Sequence, residues 1–369
     1  MGLKVGILGG GQLGRMLALA GLPLGMSFRF LDPSSAAPAG AVGELVVGAF
    51  DDEGAVERFA RGLDVCTFEF ENVPAGVVEA IGKRVPMFPG AGALRVAQDR
   101  VAEKEFFAQA ELDVHPWAPV DDEAGLDRAM ARVGVPGVLK GRRGGYDGKG
   151  QAVVRERTAA EAAWRRIGAR PSIYEALVPF TRELSIVAVR GRDGSFAAYP
   201  LVENRHEGGI LRESRAPALG VAPEIERAAD EHCRTLMDAL GYVGVLAVEF
   251  FEHEGRLLAN EMAPRVHNSG HWTIEGAATS QFENHLRAAA GLPLGSCAPR
   301  GRSRMYNLIG GVPDLRELAA IPGAHVHRYG KEPRPGRKVG HVTLMESEAG
   351  DVGAAGDRLE RLVRASAAG

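Results

Sequence analysis

Apolar positions in the first hundred residues come as short continuous runs separated by stretches of helical spacing. Residues 3–8 (LKVGIL) are one such run, the pattern of a strand covered on both faces. Glycines at 9, 11 and 14 then open a helix extending to about Gly21, and a second run from Phe28 to Leu31 ends at Asp32. Runs near Val46 and over Val65–Phe68 continue the alternation, and Met87–Pro89 starts another short strand. This alternation predicts a small parallel α/β domain over residues 1–98.

The period changes after that point. A helix is predicted from about Asp99 to Leu112, carrying Arg100 and Lys104, and His115-Pro116 breaks the chain. Asp121 or Asp122 caps a helix that ends at Gly134. A strand enters at Val138, a return strand covers 151–155, and Thr158-x-x-Glu161 reads as the capping box of a helix to about Ile167. Residues 172–178 form a strand that stops at Pro179. This helix–hairpin–helix order predicts a small α+β lobe over about 115–178, inside a larger unit spanning 99–298. Residues 183–190 and 195–200 pair across an Arg-Asp-Gly turn, while His206, Gly208 and Gly209 are read as a loop. Pro223 starts a helix to about Leu240, and another helix covers 279–290. The remainder, 299–369, reads as a strand-rich domain closed by a helix over about 351–365.

Three stretches carry chemistry. The first is VLKGRRGGYDGKGQ at 138–151, where Lys140, Arg142, Arg143 and Lys149 surround four glycines within seven residues. Glycines let a loop turn its N–H groups inward, so four cations and a nest of donors predict a polyphosphate site. The spacing is not that of a Walker loop. The second is the pair of runs at 243–251 and 256–262. A turn centred on Gly255 places Glu249 directly opposite Glu261, with Cβ atoms about 5 Å apart on one face. Two bare carboxylates so placed repel, and oxygen ligands at this separation suit Mg²⁺ bridging to phosphate. A one-residue slip would send them to opposite faces. Directly after comes APRVHNSGHW (263–272), polar and without period, a candidate substrate loop. The third is YGKEPRPGRKVGH (329–341), which holds five cations between Lys331 and His341 when His341 is charged, and reads as a second phosphate site. For the first and third the bland alternative is a solvated basic turn. Against it, only seven of the 44 basic residues are lysines, and two sit in each basic cluster. The N-terminal G-x-G-x-x-G with Asp32 beyond it also matches a dinucleotide fingerprint, although the same turn serves other anions.

Composition adds limits. The chain has 369 residues, enough for two or three domains, with a net charge of −3 that gives no global reason for a nucleic-acid or membrane-surface partner. No apolar run has membrane-spanning length, and the N-terminus reads as a strand rather than a signal peptide. Three scattered cysteines argue for a reducing compartment with neither disulfides nor a zinc site.

Taken together, GGGQLGRM (9–16), FEFENVP (68–74), RRGGYDGKGQ (142–151), the strand exit at Glu175, NEMAPRVHNSGHWTIEG (260–276) and RPGRKVGH (334–341) resemble the motifs of the ATP-grasp superfamily and, within it, the 5-(carboxyamino)imidazole ribonucleotide synthases of purine biosynthesis. One departure is Arg205 in VENRHEGG (202–209), at an expected apolar position. The resemblance implies an ATP-grasp fold with an N-terminal Rossmann-like sheet and a small C-terminal domain. It implies a ligase that uses ATP and bicarbonate to carboxylate 5-aminoimidazole ribonucleotide through carboxyphosphate. Arg100, Lys140, Gly145, Tyr146, Asp147, Gly148, Lys149, Gly150 and Gln151 then hold the ATP phosphates. The stretch Glu175, Ala176, Leu177 and Val178 holds adenine, Glu183 holds the ribose, and His206 and Asn260 also contact the nucleotide. Glu249 and Glu261 hold Mg²⁺, with Mn²⁺ as the alternative. Tyr146, Asp147, Arg265, His267 and Asn268 face the carboxylating centre, while Gln12, Glu71, Lys331, Arg337 and Lys338 bind the ribonucleotide. A cytoplasmic homodimer is implied. Three competing readings are an NAD-dependent oxidoreductase built on residues 9–32, an ATP-grasp ligase with another acceptor, and a non-enzymatic nucleotide-binding module, which any turnover excludes.

Overall fold

The computed structural model describes residues 2–145, 150–349 and 352–368. Strands β1 (Lys4–Leu8), β2 (Ser27–Asp32), β3 (Glu44–Val47) and β4 (Val65–Phe68) form a parallel sheet in the order β3-β2-β1-β4. The continuous apolar runs follow from cover on both faces. Val5, Ile7, Phe28 and Phe30 pack on the helix Gln12–Gly21, while Leu8, Leu31, Cys66 and Phe68 pack under the helices Glu53–Ala60, Ala75–Gly82 and Ala91–Ala97. The short strand expected from Met87 is reduced to one parallel bridge to Cys66. Pro86 and Pro89 flank it and remove the donors a longer ladder needs.

The small lobe is an antiparallel sheet of β5 (Trp117–Val120), β6 (Gly137–Gly141), β7 (Gln151–Val154) and β8 (Ser172–Ala176), ordered β5-β8-β6-β7. Two helices cover it: Glu123–Val133, capped by the Asp122 side chain, and Ala160–Arg166. Strand β5 escaped the sequence reading because Pro119 interrupts it, which an edge strand tolerates. The capping box at Thr158 does not form. Residues Arg157–Ala159 make a tight turn instead, and Glu161 pairs with Arg165 one turn along.

The remaining strands are β9 (Arg182–Arg190), β10 (Phe196–Ala198), β11 (Val202–Glu207), β12 (Ile210–Ala216), β13 (Gly244–His253), β14 (Arg256–Ala263), β15 (Ser303–Ile309), β16 (Ala324–Arg328) and β17 (Lys338–Met345). They form one sheet, ordered β14-β13-β9-β11-β12-β15-β17-β16 with β10 on the side of β9. Residues 206–209 are therefore a hairpin rather than a loop: Gly208 and Gly209, both at positive φ, turn β11 into β12. The segment after 299 adds its strands to the central sheet through β12 and β15, with the helix Val352–Ala368 packed behind.

Candidate active site

The N-terminal glycine turn is already filled. Gly10 N–H donates to Asp32 Oδ2 at 2.7 Å, and Gly11 and Gly14 donate to the two oxygens of Glu69 at 2.5 and 2.8 Å. The donors that would meet a pyrophosphate thus hold the chain's own carboxylates, which overturns the dinucleotide reading. Burial pushes the Glu69 carboxyl up, while the glycine N–H groups and the charge of Lys331 pull the other way. Gln12 begins the helix beside this turn, and Glu71 pairs with Arg265 across the cleft.

The base of the second glycine loop is the β6–β7 hairpin, with Lys140 opposite Gln151. Tyr146, Asp147, Gly148 and Lys149 lie outside the described residues. The four-cation reading needs correction, because Asp99 takes two of the four. Its carboxylate accepts from Arg142 Nε at 2.6 Å and pairs with Arg143 Nη2 at 2.9 Å. Asp99 also caps the helix Arg100–Gln109, so the loop is fastened to the element carrying Arg100. Gly145 continues from this anchor, and Gly150, at φ 71°, leads into β7.

Lys140 is paired as well. Its Nζ contacts Glu175, which is 1% exposed and also lies 3.5 Å from both Lys104 Nζ and His115 Nε2. Burial alone would raise this carboxyl, but Lys140, Lys104 and His115 hold it well below the usual range. The Glu175 side chain is thus turned into the protein. Any contact it makes to a nucleotide base falls to the backbone running through Ala176 and exposed Leu177 to Val178. His206 and Glu183, on β11 and β9, share a 2.5 Å hydrogen bond. Burial acts to lower the His206 pKa, and the bond to Glu183 with the charge of Glu249 raises it overall. Arg205 points the other way, to Glu213 at 3.2 Å and to Glu360 of the last helix at 3.2 Å, which explains the charge at that position.

Glu249 and Glu261 are directly paired across β13 and β14, by a route the sequence reading did not contain. The turn is centred on Glu254 and Gly255 together, since His253 pairs with Arg256 and Phe250 with Ala259. A regular ladder from that turn would set Glu249 against Asn260. The bulge at Asn260 shifts the register by one and brings in Glu261. Burial follows the bulge: Leu257, Ala259 and Met262 are buried in the core, whereas the consecutive residues Asn260 and Glu261 are both only partly buried.

Arg100 Nη1 donates to Glu261 at 2.9 Å. Burial opposes ionisation of Glu261, but Arg100 and Lys140 hold its carboxyl below the usual carboxylate range. Burial, and then the charge of Glu261, push the Glu249 carboxyl above the usual carboxylate range. Asn260 Oδ1 is buried and meets no hydrogen-bond donor among the described residues. Two carboxylates that cannot comfortably share their charge, beside an unused amide oxygen, fit a hard divalent cation.

His267 Nε2 lies 3.5 Å from Glu249. Ser269 N–H donates to His267 Nδ1 at 3.3 Å, and a backbone donor fixes Nδ1 as an acceptor, so the ring proton sits on Nε2 and faces Glu249. Burial, helped by Arg265 and Lys338, lowers the His267 pKa to about 3. A buried chain supports this tautomer: Ser214 Oγ donates to Asn204, Asn204 to Ser185, and Ser185 to Ser269, whose hydroxyl is 2.9 Å from Nδ1. Asn268 exchanges two amide hydrogen bonds with Asn307 of β15, at 2.9 and 2.7 Å.

The third stretch reaches the same cleft. The charge of Lys338 acts on Glu249 and His267, and that of Lys331 on Glu69. Arg337 is half-buried and donates to the Glu332 carbonyl at 3.1 Å. His341 is not a fifth cation. It is buried, bonded through Nδ1 to Tyr329 Oη at 2.8 Å, and held neutral by burial and by His271 and His327. The sequence reading missed Asp99, Glu103, His115 and the Ser185–Asn204–Ser214 chain. It placed Lys104 on a helix without a role, and the rarity of lysine is the sequence signal that could have singled it out.

The chain matches three known families in order: the ribonucleotide synthetase preATP-grasp domain over residues 2–98, the ATP-grasp domain over 105–282, and the phosphoribosylaminoimidazole carboxylase C-terminal domain over 303–355. It is 49% identical over 363 residues to the N5-carboxyaminoimidazole ribonucleotide synthase of Pseudomonas aeruginosa, covering 98% of this chain and 100% of that one. The enzyme of the same name from Brucella melitensis is 45% identical, with 94% and 97% covered. Among solved structures, the N5-carboxyaminoimidazole ribonucleotide synthetase of Thermus thermophilus superposes with a TM-score of 0.93 at 57% identity, covering 97% and 98%. The Aspergillus clavatus N5-carboxyaminoimidazole synthase in complex with ADP and 5-aminoimidazole ribonucleotide gives 0.91 at 32%, covering 98% and 99%.

Proposed function

The chain belongs to the N5-carboxyaminoimidazole ribonucleotide synthase family of ATP-grasp enzymes, and on that premise we propose how its residues divide the reaction. It is an ATP-dependent ligase of purine biosynthesis. Bicarbonate oxygen attacks the γ-phosphorus of ATP, ADP leaves, and carboxyphosphate forms. Carboxyphosphate gives up CO₂ and phosphate, and the exocyclic amine of 5-aminoimidazole ribonucleotide takes the CO₂ as a carbamate, losing one proton.

Positioning and charge neutralisation carry such a reaction. Lys140 and Arg100, with the glycine loop including Tyr146, Asp147, Gly148 and Lys149, hold the ATP phosphates. The backbone of 175–178 takes the adenine edge, and Glu183 with His206 takes the ribose. Glu249, Glu261 and the Asn260 amide oxygen would hold Mg²⁺, or Mn²⁺ in its place. The metal supplies charge neutralisation on the transferring phosphoryl group. Arg265, His267 and Asn268 face the carboxylating centre. His267, neutral with its proton on Nε2, donates a hydrogen bond there rather than taking a proton at Nδ1. Lys331, Arg337 and Lys338 hold the ribonucleotide phosphate, with Gln12 and Glu71 at the same end. The units 1–98, 99–298 and 299–369, a homodimeric assembly and a cytoplasmic location complete the reading.

The observation that carries it is the bulged carboxylate pair, set between the Lys140–Arg100 wall and the Arg265–His267–Lys338 wall. The test is phosphate release from Mg·ATP with and without the ribonucleotide, at high and depleted bicarbonate. Release that requires both supports the reading. Ribonucleotide-stimulated release indifferent to bicarbonate means another acceptor, and no release under any condition refutes it.

A further inference from the structure

Strand β14 is the edge of the nine-stranded sheet, and the first turns of the helix Arg100–Gln109 lie along it. Glu103 and Lys104 on that helix are 2% and 1% exposed, among Phe107, Ala259 and Met262. An edge strand next to a helix is ordinarily covered by apolar side chains, because two buried charges carry a desolvation penalty that an apolar cover avoids. These two charges meet particular backbone groups. Glu103 Oε1 accepts from Met262 N–H at 2.7 Å, and Lys104 Nζ donates to the carbonyls of Ala259 at 3.2 Å and Asn260 at 2.7 Å. These are the groups on either side of the bulged residue, where the ladder to β13 is interrupted.

Lys104 has a second contact. Its Nζ lies 3.5 Å from Glu175 Oε1, whose other oxygen holds Lys140. One ammonium therefore touches both the strand bearing Asn260 and Glu261 and the counter-ion of the lysine on β6, in the other lobe.

We propose that Glu103 and Lys104 are positioning residues for the reaction: they hold the bulge that turns Asn260 and Glu261 together onto the cleft, and Lys104 fixes that bulge relative to Lys140 through Glu175. The proposal rests on reading Glu249 and Glu261 as the carboxylates that meet metal and phosphate. Neither residue reaches the cleft, so both act through Glu261 and Lys140. Without the lysine the two carbonyls have no buried donor, and relaxation toward a regular ladder would set Asn260 opposite Glu249 and turn Glu261 away.

The test compares ADP affinity with and without Mg²⁺ by calorimetry, alongside kcat and both KM values. In the wild type Mg²⁺ strengthens ADP binding, and Glu261→Gln removes that effect. Retention of the effect in Glu261→Gln refutes the carboxylate reading and this proposal with it. Given that control, Lys104→Met loses about 10–100-fold of the Mg²⁺ effect and of kcat, the range for residues that orient metal ligands, while the ribonucleotide KM stays within about twofold. Glu103→Leu behaves alike. Glu103→Gln, whose amide oxygen still accepts from Met262, stays within about threefold of wild type. A lower Tm with unchanged Mg²⁺ effect and unchanged kcat per folded site in Lys104→Met and Glu103→Leu would overturn the proposal, since a merely structural cover predicts that result. Should neither variant fold, amide exchange in the wild type decides. Protection of Met262 N–H comparable to the central strands supports the clamp, and exchange at the rate of an open edge overturns it.

Discussion

Replacing Glu175 by glutamine removes one charge from the most enclosed electrostatic cluster in the chain. The carboxylate is 1% exposed, Lys104 is equally buried, and the Lys140 ammonium is largely covered. At the 3.5 Å separation of Lys104 and Glu175 the gross attraction is about 5 kcal/mol for an effective dielectric constant of about 20. Lys140 adds a second attraction, and the desolvation of three groups offsets much of both. Removing one member of such a buried cluster costs about 3–5 kcal/mol, because Lys104 and Lys140 are then left facing each other. With about 2.1 cal/mol/K of unfolding entropy per residue over 369 residues, this lowers Tm by about 4–6 °C. The double variant Glu175→Gln/Lys104→Met restores the charge balance, so its loss should fall short of the sum of the singles by about 1–3 kcal/mol. Acid titration gives an independent reading. The Glu175 carboxyl titrates well below its unfolded value of 4.5, so its contribution is complete above pH 4.5 and declines as pH falls toward the folded pKa. The stability gap between wild type and Glu175→Gln should therefore be constant at neutral pH and narrow below about 4.5. Thermal and urea unfolding across pH would measure it. A cost under about 1 kcal/mol, or a gap that does not narrow in acid, would refute the cluster as drawn.

Other consequences can be measured separately. Glu261→Gln removes a carboxylate from the proposed phosphoryl-transfer site and should lower kcat for phosphate release by about 10²–10³-fold with the circular dichroism spectrum unchanged; turnover within tenfold of wild type would place the metal elsewhere. Lys338→Ala should raise the ribonucleotide KM at least tenfold (about 1.4 kcal/mol) while leaving the ATP KM within about twofold. An equal effect on both would move that lysine to the nucleotide end. Nitrogen NMR of labelled histidine should show His267 with Nδ1 unprotonated and Nε2 protonated, and neutral throughout the working range because burial holds its pKa at about 3. A proton found on Nδ1 would contradict the Ser269 contact.

Much of this was legible because it is local. The buried runs of the first domain, the Asp122 cap and the helix from Pro223 depend on neighbours a few residues away. The carboxylate pair was legible for a compensated reason: the turn lies half a residue from where the sequence places it, and the bulge at Asn260 corrects the difference. What escaped is non-local. The glycine turn at 9–14 has the form of a dinucleotide site, but Glu69, 58 positions beyond Gly11, fills it. Arg142 and Arg143 look available until Asp99 is brought to them from 43 and 44 positions away. The end of strand β11 at His206 reads as a loop because the polar residues there each have a tertiary partner: Asn204 in the Ser185 network, Arg205 on Glu213 and Glu360, and His206 on Glu183.

The pairing of β12 with β15 bears on how such an enzyme can be recombined. The strands that carry Glu249 and Glu261 and the strand that presents Lys338 belong to one hydrogen-bonded sheet, stitched further by the Asn268–Asn307 amide exchange. A chimera spliced near residue 299 would inherit a donor module whose first strand must match β12 residue by residue, from Glu213–Tyr306 to Ala216–Ser303. Truncation at the same point would bare β12 as a template for foreign strands, so that shortening the chain yields aggregate rather than a minimal ATPase.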